Sequence, residues 1–282
     1  MSMTLDYAVP GAGAAEIFTL FYHFRADVPR FEDTERADHA QLRFRLSPGD
    51  ATYHFADGSV QEAPAHHVVG PTSGAMRVVA EGPVEVFGAG ITPAGWAAIT
   101  GRDASGFLNR VVDAAQFFGD AIAATLRSLQ HATTIGHRVE IAEKMVSRHI
   151  ARARRQAGFV KQVDAWLAAS HSPDVNDLVA ATGLSRRQIE RRCNALYGAP
   201  PKLLARKYRA LKAAVALASH DADPDTLIER GFYDQSHFIR EVKQFTGLTP
   251  MQLRDQPNLL AQLTIAGRHS LTGKINPIIS ET

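Results

Sequence analysis

Four arginines, Arg186, Arg187, Arg191 and Arg192, stand within a seven-residue stretch directly after Ser185. Ser185 with Gln188 three places on is a capping box, so the stretch reads as the opening of a helix. Ile189, Cys193 and Leu196 then share its inner face, and Arg187 and Arg191, spaced i and i+4, share the outer one. The residues in front supply a second helix. Asp174 with Asp177 is a helix start, Val175, Leu178 and Val179 give an apolar face, and Gly183-Leu184 marks a sharp turn. A glycine turn delivering a helix with paired outward arginines suits entry into a DNA major groove. There a guanidinium can grip a guanine edge bidentately or neutralise a phosphate.

The arrangement recurs. Ala199-Pro200-Pro201 places proline at a helix start, and Lys202 to Ser219 is a helix-forming run with Leu203, Leu204, Tyr208, Leu211, Val215 and Leu217 on its apolar faces. A short helix around residues 225–230 meets Gly231-Phe232, and another opens at Asp234-Gln235-Ser236-His237. Phe238, Val242 and Phe245 face inward on it, Ser236 and Arg240 share an outer face, and Lys243 lies nearby. The intervening helix of about 18–19 residues spans roughly 28 Å at 1.5 Å per residue. That approaches the ~34 Å of one DNA turn, so one chain could place two outer helices in successive major grooves.

Three segments resemble, in order and spacing, the C-terminal domain of the AraC/XylS family of bacterial transcription regulators. They are Thr182 to Arg187, Gly231-Phe232-Tyr233-Asp234-Gln235-Ser236-His237-Phe238-Ile239-Arg240, and Phe245-Thr246-Gly247-Leu248-Thr249-Pro250, within a span from Asp174 to Arg254. The resemblance implies base contacts from Arg187, Arg191, Gln235, Ser236 and Arg240, and phosphate contacts from Arg186, Arg192 and Lys243. It also implies a transcription activator that partners double-stranded DNA and RNA polymerase, with an N-terminal domain that binds an effector, dimerises or does both, often on a cupin-like barrel.

Charge divides along the chain. Residues 1–133 carry 9 Lys/Arg against 15 Asp/Glu, whereas residues 134–282 carry 22 against 14, so only the second half has the balance of a polyanion binder. With 45% hydrophobic and 21% charged residues the composition is globular. No apolar run reaches the roughly 18 residues of a membrane span, and Met1 to Pro10 lacks the pattern of a signal peptide. The single cysteine, Cys193, fits a reducing cytoplasm.

Up to about Gly90 the pattern is one of short strands punctuated by turns: the apolar run Ile17–Tyr22, the alternating Gln41–Leu46, a hairpin at Asp57-Gly58, then Met76–Val79 and Val84–Phe87. From Val111 the period becomes helical, with stripes of Ala115, Phe118, Ile122, Leu126 and Leu129, then Ile135, Val139, Ala142, Val146 and Ile150. Gln156-Ala157-Gly158 reads as a break before a shorter helix, Phe159–Ala169. The expected fold is α+β: a small N-terminal β barrel or sandwich with helices, then an all-α region with two helix-turn-helix units. The expected division is a sensor domain at 1–133, a helical connector at 134–172 offering a homodimer face, a DNA-binding domain at 173–256 and a tail at 257–282.

Other chemistry finds less support. His66 and His67 are adjacent, so on a strand they point to opposite faces, and His54 stands alone; no metal site is expected. Gly11-Ala12-Gly13 follows no strand and opens no βαβ unit, so no dinucleotide cofactor is expected either. No catalytic constellation stands out, and the chain does not read as an enzyme. Phe18, Tyr22, Phe44, Tyr53 and Trp96 are core residues or the lining of a small-molecule pocket. The alternative reading is a small-molecule binding protein or enzyme whose helical C-terminal region serves as a protein interaction module.

Overall fold

A computed structural model describes residues 2–282. Its N-terminal part builds strands β1 (Ser2–Ala8), β2 (Phe18–Asp27), β3 (Arg30–Glu35), β4 (Gln41–Arg45), β5 (Ala51–His54), β6 (Val60–Glu62), β7 (His66–Val69), β8 (Met76–Glu81), β9 (Val84–Ile91) and, after helix α1 (Pro93–Thr100), β10 (Val111–Asp113). They form two antiparallel sheets, ordered β1-β2-β9-β4-β7-β10 and β3-β8-β5-β6. The sheets share no strand pairing, so the domain is an open sandwich and not a closed barrel. Alternation decides what lies between them. Phe24, Ala26 and Val84 of the larger sheet meet Phe31, Tyr53, Val78 and Ala80 of the smaller in one apolar cluster.

Helices α2 (Ala115–Phe118) and α3 (Ala121–His131) carry the first helical stripe, broken at Gly119. Helix α4 (Ile135–Val146) lays Ala142 and Val146 against β1 and β2, so the face expected to serve a homodimer is covered within the chain. Its Arg138 is buried too, donating Nη2 to Glu85 at 3.0 Å and lying 2.5 Å from His23 through Nη1. The break expected at Gln156-Ala157-Gly158 is absent: α5 runs from Ile150 to Ala169. Gly158 is solvent-exposed, and an exposed helical glycine costs only about 1 kcal/mol, which the buried Phe159, Val160, Val163, Trp166 and Leu167 outweigh.

Then come α6 (Val175–Thr182), α7 (Arg186–Tyr197), α8 (Pro201–Ala218), α9 (Pro224–Gly231), α10 (Gln235–Thr246) and α11 (Pro250–Asp255). The segment after Gln256 does not dangle. Helix α12 (Leu259–His269) returns to the sandwich, where it packs on β1 and β3 and buries Leu260 in the cluster between the sheets. Asn258 donates to Asp33 there. Helix α13 (Pro277–Ser280) packs on α5, and Asn276 Nδ2 donates to Asp164 Oδ2 at 2.6 Å.

Candidate nucleic-acid interface

The capping box read from the sequence is present: the Ser185 hydroxyl accepts from the Gln188 backbone N–H, and Gln188 Oε1 accepts from the Ser185 backbone N–H. Gly183 closes α6 in the left-handed region, at φ +66°, where a Cβ would be strained. Asp174 caps α6 and Asp234 caps α10. Ile189, Cys193 and Leu196 are buried, and so are Phe238, Val242 and Phe245, which orients both helices as expected. Burial pushes the Cys193 thiol up to about 12.

On the outer faces, Arg187, Arg191, Gln235, Ser236, Arg240 and Lys243 are all exposed. Arg186 is exposed as well, with Nη2 donating to Asn176 Oδ1 at 2.5 Å across the α6–α7 turn. Arg192 differs. It is half-buried, its guanidinium 4.0 Å from the centroid of the Phe159 ring, so it ties α7 to α5 by a cation–π contact. Tyr233, part of the second resembling segment but given no role there, is 92% exposed at the turn into α10.

Helix α8, 18 residues and so about 27 Å long, joins the two units. Its grip on α10 is ionic. Glu241, 1% exposed, accepts from Arg206 Nε at 2.5 Å and from Arg209 Nη2 at 2.6 Å, with His237 Nε2 at 3.1 Å. Burial opposes the charge on Glu241, but the two arginines outweigh it and hold the carboxyl below its usual range.

Both outer helices touch the N-terminal part. Helix α7 packs on α1 and on the turn at Ala104–Phe107. The end of α10 offers two carbonyls, Gln244 O to Ala75 N at 2.8 Å and Phe245 O to Ala37 N at 2.7 Å. Gly247, at φ +79°, sits so close to Thr34 that a Cβ would lie 2.3 Å from its methyl. From α8, Lys207 Nζ donates to Asp38 O at 3.2 Å. Burial lowers its pKa to about 8. The strip Arg36–His39 between β3 and β4 is therefore the joint between sandwich and helices.

Behind that strip lies a cavity of about 130 Å³, walled by both sheets and by α8, α11 and α12. Its lining is mostly apolar, with Leu5, Phe24, Phe31, Val78, Leu260 and Ile265 among it. Tyr22 and Tyr53 line it as well, whereas Phe18, Phe44 and Trp96 are packed in the core. One polar wall is fully paired: Arg43 donates to Glu35, Gln41 and Tyr53, and the Tyr53 hydroxyl lies 3.0 Å from His67 Nε2. The other is not. Arg268 and Arg36 flank Asp38, yet Nε and Nη1 of both guanidinia are buried with no hydrogen-bond partner in the chain. No group of His, Cys, Asp and Glu among the described residues is placed to hold a metal ion.

Comparison with known proteins agrees in one region. The family described as "Helix-turn-helix domain" matches residues 178–256. No curated protein matches the chain. Among solved structures, the chain is similar to ToxT from Vibrio cholerae at 1.65 Å resolution, with 9% identity and a TM-score of 0.45 over 89% of this chain and 96% of that one. It is similar also to an unsaturated fatty acid-bound ToxT, with 8% identity and a TM-score of 0.43 over 89% and 93%. Residues 178–256 form a helix-turn-helix domain, as the motifs resembling the AraC/XylS regulators imply.

Proposed function

We propose that this chain is a sequence-specific DNA-binding transcription regulator, an activator that responds to a small-molecule effector. The observation that carries the reading is the pair of 12-residue helices α7 and α10. Each is fixed by capping and a buried inner face, each presents exposed polar side chains outward, and an 18-residue helix separates them. Arg187 and Arg191 read bases in one major groove, and Gln235, Ser236 and Arg240 in the next. Arg186 and Lys243 hold phosphates. Arg192 supports α7 through Phe159, which favours a positioning role over the phosphate contact first expected. RNA polymerase is the partner an activator needs, and a homodimer would bind through a surface other than the apolar stripe of α4.

The effector site is the sandwich cavity. Its apolar walls and the unpaired donors of Arg36 and Arg268 suit a small anion with an apolar body. Because the same wall includes Asp38, which also meets Lys207, an occupant there bears directly on the joint.

Fluorescence anisotropy against DNA from the promoters flanking the gene tests the reading. The expected result is salt-sensitive binding that prefers one site over random sequence. Folded protein that binds no DNA at low salt would sink it and leave the interaction-module alternative.

A further inference from the structure

The first half of α5 carries Arg152 and Arg155, with Arg148 in the turn Ser147–His149 just before it, and all three are exposed. Arg152 and Arg155 converge with Arg102, at the end of α1, on an open cleft whose far wall is α7. That wall contributes Gln188, Arg191 and Arg192. Five guanidinia thus line one cleft, against a single acid, Asp103. Among the described residues, Arg102, Arg152, Arg155 and Arg191 form no ion pair, although the chain holds 29 carboxylates. Arg102 is held by ring faces instead, its guanidinium 6.0 Å from the centroids of both Phe107 and Phe117.

The position of the cleft points to its partner. Arg191 belongs both to the cleft wall and to the open outer face shared with Arg187, Glu190 and Asn194. The cleft therefore opens beside the groove-reading face and not behind it. A helix seated in a major groove about 12 Å wide has a phosphate backbone along each flank. On the Gln188 side, that backbone would run over Arg102, Arg152 and Arg155.

We infer that these three arginines, all outside residues 178–256, neutralise phosphates of the DNA that α7 reads, so that the N-terminal part of the chain is itself part of the DNA interface. This rests on the proposed function. It assigns the excess positive charge of α5 to a polyanion already required by α7.

The test is the salt dependence of DNA binding by the full chain, wild type against Arg152→Ala/Arg155→Ala. Each phosphate contact adds about 0.9 to the slope of log K on log salt, so the double variant should lose nearly 2 from that slope. Its affinity near 0.15 M salt should fall on the order of 10–30-fold, equally for the specific site and for random DNA. Arg152→Lys/Arg155→Lys should restore most of the slope, which a merely structural role would not require. A double variant with the wild-type slope and affinity, in a protein that binds its site, overturns this inference alone. A wild type that binds no DNA overturns it together with the reading beneath it.

Discussion

The Tyr208 hydroxyl lies 2.8 Å from His39 Nε2, and this buried contact joins α8 of the helix-turn-helix domain to the strip that borders the sandwich cavity. Burial, helped by the charges of Lys207 and Arg36, lowers the His39 pKa to about 3. A histidine held neutral in the fold contributes stability that is complete above its unfolded value of about 6.5 and is lost as pH falls below it. Each pH unit in that window costs about 1.4 kcal/mol. Between pH 6.5 and 5 the wild type should lose about 2 kcal/mol more than His39→Gln, in which the amide cannot take the proton. Urea denaturation at the two pH values measures this, and parallel losses in both proteins would refute it.

Arg187→Ala and Arg191→Ala should each cost on the order of 1–3 kcal/mol at the specific site and relax the sequence preference at one base pair. Lys243→Ala should weaken specific and random DNA alike. An unchanged ratio of specific to random binding in the two arginine variants would remove them from base reading.

Effector binding should depend on charge at one end of the ligand. Octanoate should raise the melting temperature of the wild type, octanamide should do so far less, and Arg268→Met should abolish the difference. Equal shifts with acid and amide would show that the unpaired guanidinia take no part.

Glu241→Ala should destabilise the chain by on the order of 3 kcal/mol, because Arg206 and Arg209 lose their shared carboxylate. The loss should appear as parallel decreases in thermal stability and in DNA affinity, since α10 then loses its ionic tie to α8. A variant as stable as the wild type would show that apolar packing alone seats α10.

Cys193 should be inert. Its thiol is fully buried and burial pushes its pKa up to about 12, so almost no thiolate forms at neutral pH. A disulfide reagent should label it only after unfolding, and peroxide should leave DNA binding unchanged. Rapid labelling of the native protein would contradict this.

The helices that present the outer faces were legible because their signals are local. Ser185 with Gln188, Asp234 before α10, and glycines 183 and 247 are read within a few residues of where they act. Strands β2, β4, β5, β6, β8 and β9 were legible as strands, whereas β1, β3, β7 and β10 were not, and neither was the choice between barrel and sandwich, because it depends on which edges pair. The cavity was hidden for a related reason. Arg268 lies some 230 residues along the chain from Arg36 and Asp38, and nothing in the local pattern around Arg268 distinguishes it from a surface arginine. The tail was legible only in part: Leu259, Leu260 and Leu263 do lie on a helix, α12, but that it buries Leu260 against the sandwich depends on partners far back in the chain. Gly158 shows the opposite error, a local breaker overruled by the buried residues that follow it.

The return of α12 to the sandwich makes the helix-turn-helix domain a span anchored at both ends, through α5 on one side and through Leu260 and Arg268 on the other. A body hung from a single linker can sample many orientations, but one pinned at two points can only pivot about the line between them. Any rearrangement at the joint is thereby confined to a narrow arc. The pair of outer helices would approach DNA as a preset tool, sparing much of the orientational entropy that a freely swinging domain must surrender.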